Sequence, residues 1–336
     1  MLIPSRCILA TYHLPWPFLR QTEDGRGRMS SCHFSLDMQQ GTDWLAVIDE
    51  PPINLLTCIP KERRILFITE PPEVKVYSPF FLRQFGTIIS PYAIRGAHSS
   101  HLLLENACLN WHYAVDTSTQ DRTSSLKTLQ DFREMPVPAK TRLLSVICST
   151  KTFTTAQKKR TAFVEKLKER LGVQIDIFGR GRRPIDDKAE AIAPYKYHLV
   201  LENNYMDNFW TEKLSDAWLG YAFPLYLGAP NVSDYFPRDG MLMLHPNNDE
   251  YNLKAIARLL DEDPWASRLP ILRQCRDMVL RDNNLFTRLE RLMQESDETV
   301  HHCPPLPKPE RIHGNGRLAT ALLRRAARYG LYNPFA

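Results

Sequence analysis

The fold of this chain can be predicted from residues 195–228, which read YKYHLVLENNYMDNFWTEKLSDAWLGYAFPLYLG. Its apolar run at 197–201 predicts a short strand, and the apolar run at 223–228 predicts a second one. Between them, Thr211 is a favourable N-cap, and Gly220 is placed to end the helix that starts there. Two strands joined by a crossover helix form a parallel βαβ unit, so the chain is predicted to contain a parallel sheet.

Polar residues gather where the first of these strands ends and where the helix begins. Ligands of parallel α/β sheets bind beyond the carboxyl ends of the strands, close to helix N-termini. A carboxylate in the first helical turn also suits the positive end of the helix dipole. We therefore expect one mouth to be lined by Glu202, Asn203, Asn204, Glu212 and Lys213.

The composition is typical of a soluble globular protein. The chain has 336 residues, 43% hydrophobic and 24% charged, which is comfortable for two domains. It contains no apolar run of membrane-spanning length and no signal-peptide pattern in residues 1–12. Its seven cysteines lack pairing or metal spacing, so we expect reduced thiols and a cytoplasmic location. The net charge of +5 is compatible with phosphate-bearing ligands or an anionic membrane and decides neither.

Alternating strands and helices predict two doubly wound α/β domains. The first half is predicted to carry strands at 7–12, 43–48, 64–69 and 86–90. The polar, proline-containing segment 120–140 is interpreted as the linker. The second half is predicted to carry strands at 142–148, 174–178 and 241–244 and helices at 156–170, 250–260 and 271–293. The predicted domains are thus 1–140 and 141–300, followed by a segment at 301–336.

That last segment combines a proline-rich spacer with a basic amphipathic tail. At the spacing of a helix, its leucines share one side, and Arg317, Arg324, Arg325 and Arg328 share the other. Such a helix can lie on an anionic bilayer surface or pack back on the protein's own core, and the pattern leaves both open. Aromatic residues are few among these arginines, which disfavours nucleic-acid binding.

The chemistry of a sugar nucleotide fits the residues at the predicted mouth. Its diphosphate needs cations and backbone N–H donors, and its ribose diol needs a carboxylate acceptor. Glu212 and Lys213 supply a carboxylate and an ammonium at the start of a helix. Arg160, on the helix predicted at 156–170, is a second cation near the same mouth.

Several motifs of the second half resemble the signature of the α-1,3/4-fucosyltransferases, glycosyltransferase family ten. The matching segments are RTAF at 160–163, YKY at 195–197, ENN at 202–204, TEK at 211–213 and PLYLG at 224–228. The spacing from Glu202 to Glu212 fits the family without a gap. The resemblance covers about residues 142–245 and is weak over the first 140.

The resemblance implies a GT-B fold, in which the first of two facing Rossmann-like domains binds the acceptor and the second binds the nucleotide sugar. It also implies GDP-fucose as the donor, inversion at the anomeric carbon, a glycan hydroxyl as the acceptor and no metal cofactor. Carried over by position, Arg160 and Lys213 would bind the diphosphate, Glu212 the ribose hydroxyls, and Asn203 the sugar or a phosphate.

Three residues near the predicted donor sugar depart from the family pattern. Phe209 stands in place of a usual Tyr, Trp210 in place of a small aliphatic residue, and Asn204 in place of the common Ser. With Glu202 and Thr211 they complete the expected donor site. Another GDP-sugar therefore stays open as the donor, and so does a protein that binds the sugar nucleotide without transferring it.

Inversion requires one general base on the acceptor hydroxyl. In the family this base is a Glu just after a strand of the first domain. Glu70 matches that position, and Glu73 is the runner-up. The acceptor is expected to be a surface glycan, a glycoprotein or a lipopolysaccharide, built at the inner face of a membrane.

Overall fold

The structure is a computed structural model, and its two compact units are described separately. One unit comprises residues 1–108 and 285–336, and the other comprises residues 109–284. The described residues are 5–11, 16–37, 41–52, 55–97, 100–108, 110–118, 122, 125–150, 155–296, 300, 303–306 and 308–315.

The strands are short and mostly buried. They are β1 (Arg6–Thr11), β2 (Arg28–Met29), β3 (Cys32–Ser35), β4 (Trp44–Ile48), β5 (Leu56–Thr57), β6 (Arg64–Phe67), β7 (Thr87–Ser90), β8 (His101–Leu104), β9 (Arg142–Ile147), β10 (Ile175–Phe178), β11 (Tyr195–Leu201), β12 (Phe223–Leu227), β13 (Leu242–Met243) and β14 (Glu310–Arg311). The helices are α1 (Pro79–Leu82), α2 (Leu129–Glu134), α3 (Thr155–Leu171), α4 (Ala189–Ile192), α5 (Glu212–Leu219), α6 (Asp249–Glu262), α7 (Leu269–Leu280) and α8 (Leu285–Gln294).

The unit that contains residues 1–108 is built on a seven-stranded sheet in the order β2-β3-β1-β4-β6-β7-β8. All neighbours are parallel except β2 and β3, which form an antiparallel pair. Every residue of β4 and β6 is buried, as expected for central strands of a parallel sheet covered on both faces. Strands β5 and β14 form a separate antiparallel pair.

The unit of residues 109–284 is built on a five-stranded parallel sheet in the order β10-β9-β11-β12-β13. Strands β11 and β12 are neighbours and are connected by α5, which is the βαβ unit predicted at 195–228. Thr211 caps α5, and Gly220 lies at its C-terminus. Leu214, Ala217 and Trp218 are fully buried, so α5 packs into the core of this unit.

Both units therefore belong to the predicted α/β class with Rossmann-like parallel sheets. The strands predicted in each half are present within a few residues of their expected ends. The facing arrangement of two domains that the name GT-B denotes stays a prediction.

Two local predictions were wrong. The segment 120–140 is not a plain linker, because it contains α2, where a Thr128–Asp131 capping box forms and Phe132 is buried. The helix predicted at 271–293 is two helices, α7 and α8. The side chain of Asn284 donates to the Leu280 carbonyl at the end of α7. In a continued helix this carbonyl would accept a backbone N–H, so the side chain takes the place of that helical hydrogen bond. On α3 the buried residues include Phe163, Val164 and Leu167.

The division by contacts also differs from the predicted ranges 1–140, 141–300 and 301–336. Residues 109–140 group with the second sheet, and residues 285–336 group with the first. The arginine-rich tail predicted as an amphipathic helix falls at 316–336, outside the described residues.

Candidate functional site

The centre of the candidate site is the buried carboxylate of Glu202, directly after β11. It accepts hydrogen bonds from the Thr211 backbone N–H at 2.8 Å and from the Thr211 hydroxyl at 2.8 and 2.9 Å. The residue is 1% exposed, and burial raises its pKa above the usual value. The end of the strand is thereby tied to the start of α5, which fixes the mouth of the βαβ unit.

Lys213 lies in the first turn of α5, between two carboxylates. Its Nζ atom is 3.4 Å from Glu202 Oε2, 3.4 Å from Glu212 Oε1 and 3.0 Å from the Thr211 hydroxyl. Burial opposes the ammonium, but the charges of Glu212 and Glu202 outweigh it and raise the pKa of Lys213. The side chain stays 28% exposed, so a charged ammonium is presented at the surface of the mouth.

A second lysine, Lys188, approaches the same helix from the segment before α4. Its Nζ is 2.7 Å from Asp216 Oδ2 and 3.2 Å from Glu212 Oε1. Burial tends to raise the pKa of Glu212, but Lys213 and Lys188 hold it well below its usual value. Two cations from separate elements therefore keep the Glu212 carboxylate ionised.

Asp216 is completely buried and connects this cluster to the start of the unit. Its Oδ1 accepts the backbone N–H groups of His112 and Tyr113, each at 2.9 Å. Burial and the neighbouring Lys188 lower the pKa of His112 to about 4, so its imidazole is neutral at pH 7. Segment 112–113 thus contributes a neutral ring beside two carboxylates and two ammonium groups.

A cavity of about 110 Å³ opens beside the charged cluster. Its polar lining comprises Lys188, Glu212, Lys213, Asp216 and His198, and most of the other lining residues, 199–201, belong to β11. A larger cavity of about 280 Å³ lies at His245–Tyr251 and shares none of these groups. Because ionised side chains converge only on the smaller one, we place the candidate site there.

Arg160 reaches the site from α3. Its Nη1 donates to Asn203 Oδ1 at 2.6 Å, and Asn203 directly follows Glu202. Its Nε is buried and has no acceptor among the described part of the chain. The structure therefore brings both predicted cations to loop 202–213, Arg160 at Asn203 and Lys213 at Glu202. Arg160 is not among the described residues that line the cavity.

The remaining predicted donor residues differ in accessibility. Asn203 is exposed and Asn204 half-buried, whereas Phe209 and Thr211 are each 5% exposed. Trp210, which departs from the family pattern, is buried against Tyr235 and Phe236 at centroid distances of 5.7 and 5.1 Å. The buried members support the loop, and their contact with a donor stays a prediction.

The predicted base, Glu70, belongs to the other unit. It is half-buried in the segment after β6, and the Tyr92 hydroxyl donates to its carbonyl oxygen at 3.1 Å. The preceding residue, Thr69, donates its backbone N–H to the buried Asp49 carboxylate at 2.9 Å. Glu73 is exposed. The backbone at Glu70 is thus held by hydrogen bonds at Glu70 and at the preceding residue, and the role of either glutamate as the base stays a prediction.

Two residues of the cluster, Lys188 and Asp216, were absent from the sequence-based prediction. Asp216 had a usable signal, because it lies four residues after Glu212 and therefore shares its helix face, where two carboxylates repel each other. Such a pair requires a cation. Lys188 is more than twenty residues away in sequence, so no local pattern indicates that it supplies this charge.

No metal-like cluster and no membrane-spanning helix occur among the described residues. Within 5–315 and outside its gaps, no group of three or more His, Cys, Asp or Glu side chains could hold a metal ion. None of the described helices combines the length and apolar character needed to cross a bilayer. All seven cysteines are free.

The fold and the charged mouth define a Rossmann-like domain of the kind that holds phosphate-bearing ligands. Residues 137–266 match the family model "Glycosyltransferase family 10 (fucosyltransferase) C-term". The resemblance to this glycosyltransferase family that was found in the sequence is confirmed over these residues.

Similar proteins share only limited stretches with this chain. It is 26% identical over 121 residues to GDP-fucose protein O-fucosyltransferase 3 of Danio rerio, covering 32% of this chain and 26% of the relative. It is 33% identical over 76 residues to an α-(1,4)-fucosyltransferase of Arabidopsis thaliana, covering 23% and 19%. The matches thus span about a quarter or less of these relatives.

A solved α1,3-fucosyltransferase with GDP-fucose superposes at a TM-score of 0.48 and 14% identity, over 90% of this chain and 92% of that one.

Proposed function

We propose that this protein is an inverting glycosyltransferase that moves fucose from GDP-fucose to a hydroxyl of a glycan. The observation that carries the proposal is the cluster of Glu212, Lys213 and Arg160 around loop 202–213, in the segment that matches family 10. A cation at a helix N-terminus, beside backbone N–H groups, is suited to a diphosphate.

In this proposal, the donor diphosphate lies against the start of α5. Lys213 and Arg160 neutralise its charge, and in doing so they stabilise the negative charge that grows on GDP as the sugar departs. Glu212, which is ionised and held in place, accepts the ribose hydroxyls. Asn203, already bonded to Arg160, contacts a phosphate or the sugar.

Glu70 is proposed as the general base that removes the proton of the acceptor hydroxyl. The oxygen of that hydroxyl attacks the anomeric carbon from the face opposite GDP, the bond to the phosphate oxygen breaks, and the configuration inverts. The reaction as proposed needs no metal ion, because the lysine and the arginine supply the positive charge that the leaving diphosphate requires.

Two alternatives, another GDP-sugar as the donor and a protein that binds the donor without transferring it, can be distinguished by varying the donor and the acceptor. The departures at Asn204 and Phe209 favour testing other GDP-sugars, and a protein without transfer activity would bind GDP-sugars but release no GDP. The purified protein is therefore incubated with GDP-fucose, GDP-mannose or UDP-galactose, with and without a glycan acceptor, with EDTA in a parallel set. Release of the nucleoside diphosphate, GDP or UDP, and the product linkage are measured by mass spectrometry and NMR.

We expect acceptor-dependent GDP release with GDP-fucose, unchanged by EDTA, and a product of inverted anomeric configuration. GDP release only with another GDP-sugar would show that this sugar, and not fucose, is the donor. GDP release that EDTA abolishes would show that the reaction requires a metal ion. Binding without release under any acceptor would establish the inactive alternative.

We also propose that the protein lies peripherally on the anionic inner face of a membrane. Its acceptor there would be a glycan such as a lipopolysaccharide. The membrane location is supported by the arginines of residues 311–336. Flotation with vesicles containing anionic lipid compares the full chain with a chain ending at Pro309. Equal flotation of the two would refute a membrane role for the tail.

A further inference from the structure

The carboxylate of Glu212 is held by two lysines that play different parts. Lys213 is its neighbour in α5, and its Nζ is shared among Glu212, Glu202 and the Thr211 hydroxyl at 3.0–3.4 Å. Lys188 comes from another segment, and its Nζ contacts Glu212 and Asp216. One lysine is therefore surrounded by three acceptors at the open mouth, and the other bridges two carboxylates beneath it.

The backbone that carries Lys188 is fixed by acidic residues on both sides. Asp187 Oδ1 accepts the N–H of Ala189 at 2.7 Å and that of Ala114 at 2.9 Å. Glu190 Oε1 accepts the N–H of Asp187 at 3.1 Å. These bonds hold the backbone on both sides of Lys188 without using its ammonium group.

The balance of charge makes Lys188 necessary when a ligand binds. Three carboxylates, those of Glu202, Glu212 and Asp216, meet two ammonium groups in this cluster. If the Lys213 ammonium turns toward a phosphate, it is shared between the phosphate and Glu212, and its interaction with Glu212 weakens. Glu212 and Asp216 lie one helical turn apart and repel each other. Lys188 then remains as the one described cation that contacts both of these carboxylates.

Lys188 is itself poorly suited to contact a phosphate. Its side chain is 21% exposed, and its Nζ already faces two carboxylates at 2.7 and 3.2 Å. An anion beside those carboxylates would be repelled by them. The position therefore fits a group that orients another residue. Lys213 Nζ lies farther from its two carboxylates, 3.4 Å from each, and is held less tightly, so it fits direct contact with the ligand.

We propose that Lys188 is a positioning residue that keeps the Glu212 carboxylate ionised and aimed at the ribose hydroxyls of the bound nucleotide. The inference rests on the proposed function, because it assumes that a nucleoside diphosphate occupies the mouth. Its consequence is specific: Lys188 contributes to affinity only through hydroxyl groups that Glu212 can bind.

The test compares two ligands that differ only in those hydroxyls. Calorimetry measures the Kd of GDP and of 2′,3′-dideoxy-GDP for the wild-type protein and for Lys188→Met. The matched control is Lys166→Met, since Lys166 is an exposed lysine paired with Asp249 in the same unit and does not line the cavity. The double variant Lys188→Met/Glu212→Gln is compared with Glu212→Gln alone.

We expect the wild-type protein to prefer GDP over the dideoxy analogue. Lys188→Met should weaken GDP binding by roughly 10-fold, the lower end for hydrogen bonds to charged groups, and change dideoxy-GDP binding by less than about 3-fold. Lys166→Met should change neither. In the Glu212→Gln background, the second substitution should have no further effect on GDP.

An equal loss for both ligands would overturn the inference, since Lys188 would then act on the phosphates or on the fold. Unchanged GDP binding would overturn it as well. If circular dichroism shows that Lys188→Met does not fold, Lys188→Gln replaces it with the same expectations, because its amide can still donate to Asp216. A wild-type protein that binds no GDP would instead refute the proposed function.

Discussion

Glu202 accepts both hydrogens that Thr211 offers, one from its backbone and one from its hydroxyl. Nine residues separate the two in sequence, so this pair closes loop 202–213 at its base. The hydroxyl of Thr211 also accepts from the Lys213 ammonium. A buried carboxylate thus determines where the ammonium of the candidate donor site is placed.

Gly228 leaves the space that Glu202 needs. A Cβ atom at this position would lie 2.2 Å from the Tyr226 hydroxyl oxygen and 2.6 Å from Glu202 Cγ. We expect Gly228→Ala to lower the free energy of unfolding by about 1–3 kcal/mol and to weaken GDP binding, because Glu202 must shift. Thermal unfolding and calorimetry measure the two effects. A fully stable Gly228→Ala protein would contradict this packing.

Lys213 and Arg160 are predicted to act on the diphosphate. Replacing either by Met should weaken GDP binding by roughly 10-fold or more and reduce the dependence of Kd on salt, because a charge-assisted hydrogen bond is lost. Binding of guanosine, which has no phosphate, should change much less. Lys158→Met serves as the control, since Lys158 is an exposed residue of the same helix as Arg160. Equal losses for guanosine and GDP would show that the substitutions damage the fold.

Glu70→Gln is predicted to lower kcat by roughly 10²–10⁴-fold, the usual contribution of a general base. The affinity for GDP should stay unchanged, because Glu70 lies in the other unit. Glu73→Gln, a change at an exposed carboxylate three residues later, should retain activity. The reverse result, with Glu73→Gln inactive and Glu70→Gln active, would transfer the role to the runner-up.

The stability of the protein is predicted to decrease below neutral pH because of His198. This buried ring lies 2.8 Å from the Ser145 hydroxyl, and burial, with Lys188 and Lys140, lowers its pKa to about 3. The unfolded chain binds a proton near pH 6.5 while the folded chain does not, so stability is complete above pH 6.5 and is lost as the pH falls. Between pH 7 and pH 5 this loss amounts to about 2 kcal/mol.

Urea denaturation at pH 7 and pH 5 measures that difference. In His198→Asn, whose amide can still bond Ser145, the decrease between the two pH values should be smaller by about the same amount. His112, with its pKa lowered to about 4, contributes in the same direction and stays in the variant. An identical pH dependence in both proteins would contradict a neutral buried His198.

The sequence alone determined the local elements that the site is built on. The apolar runs that form β11 and β12, the cap at Thr211 and the end of the helix at Gly220 are all encoded within 34 neighbouring residues, 195–228. Strand and helix periodicity depend on short-range backbone geometry, so these elements can be predicted without the rest of the chain. The family motifs lie in the same stretch for the same reason.

The tertiary structure decided which charges meet. Lys188 contacts Glu212 across 24 residues of sequence, and the backbone of His112 contacts Asp216 across 104. In the tertiary structure, residues 109–140 pack with the second sheet, and α7 and α8 are separate helices. Burial of charged groups depends on distances between segments that no local pattern encodes, and it is burial that makes each of these pairings strong. The sequence therefore defined the mouth of the candidate site, and only the packing of distant segments supplied the lysine that completes it.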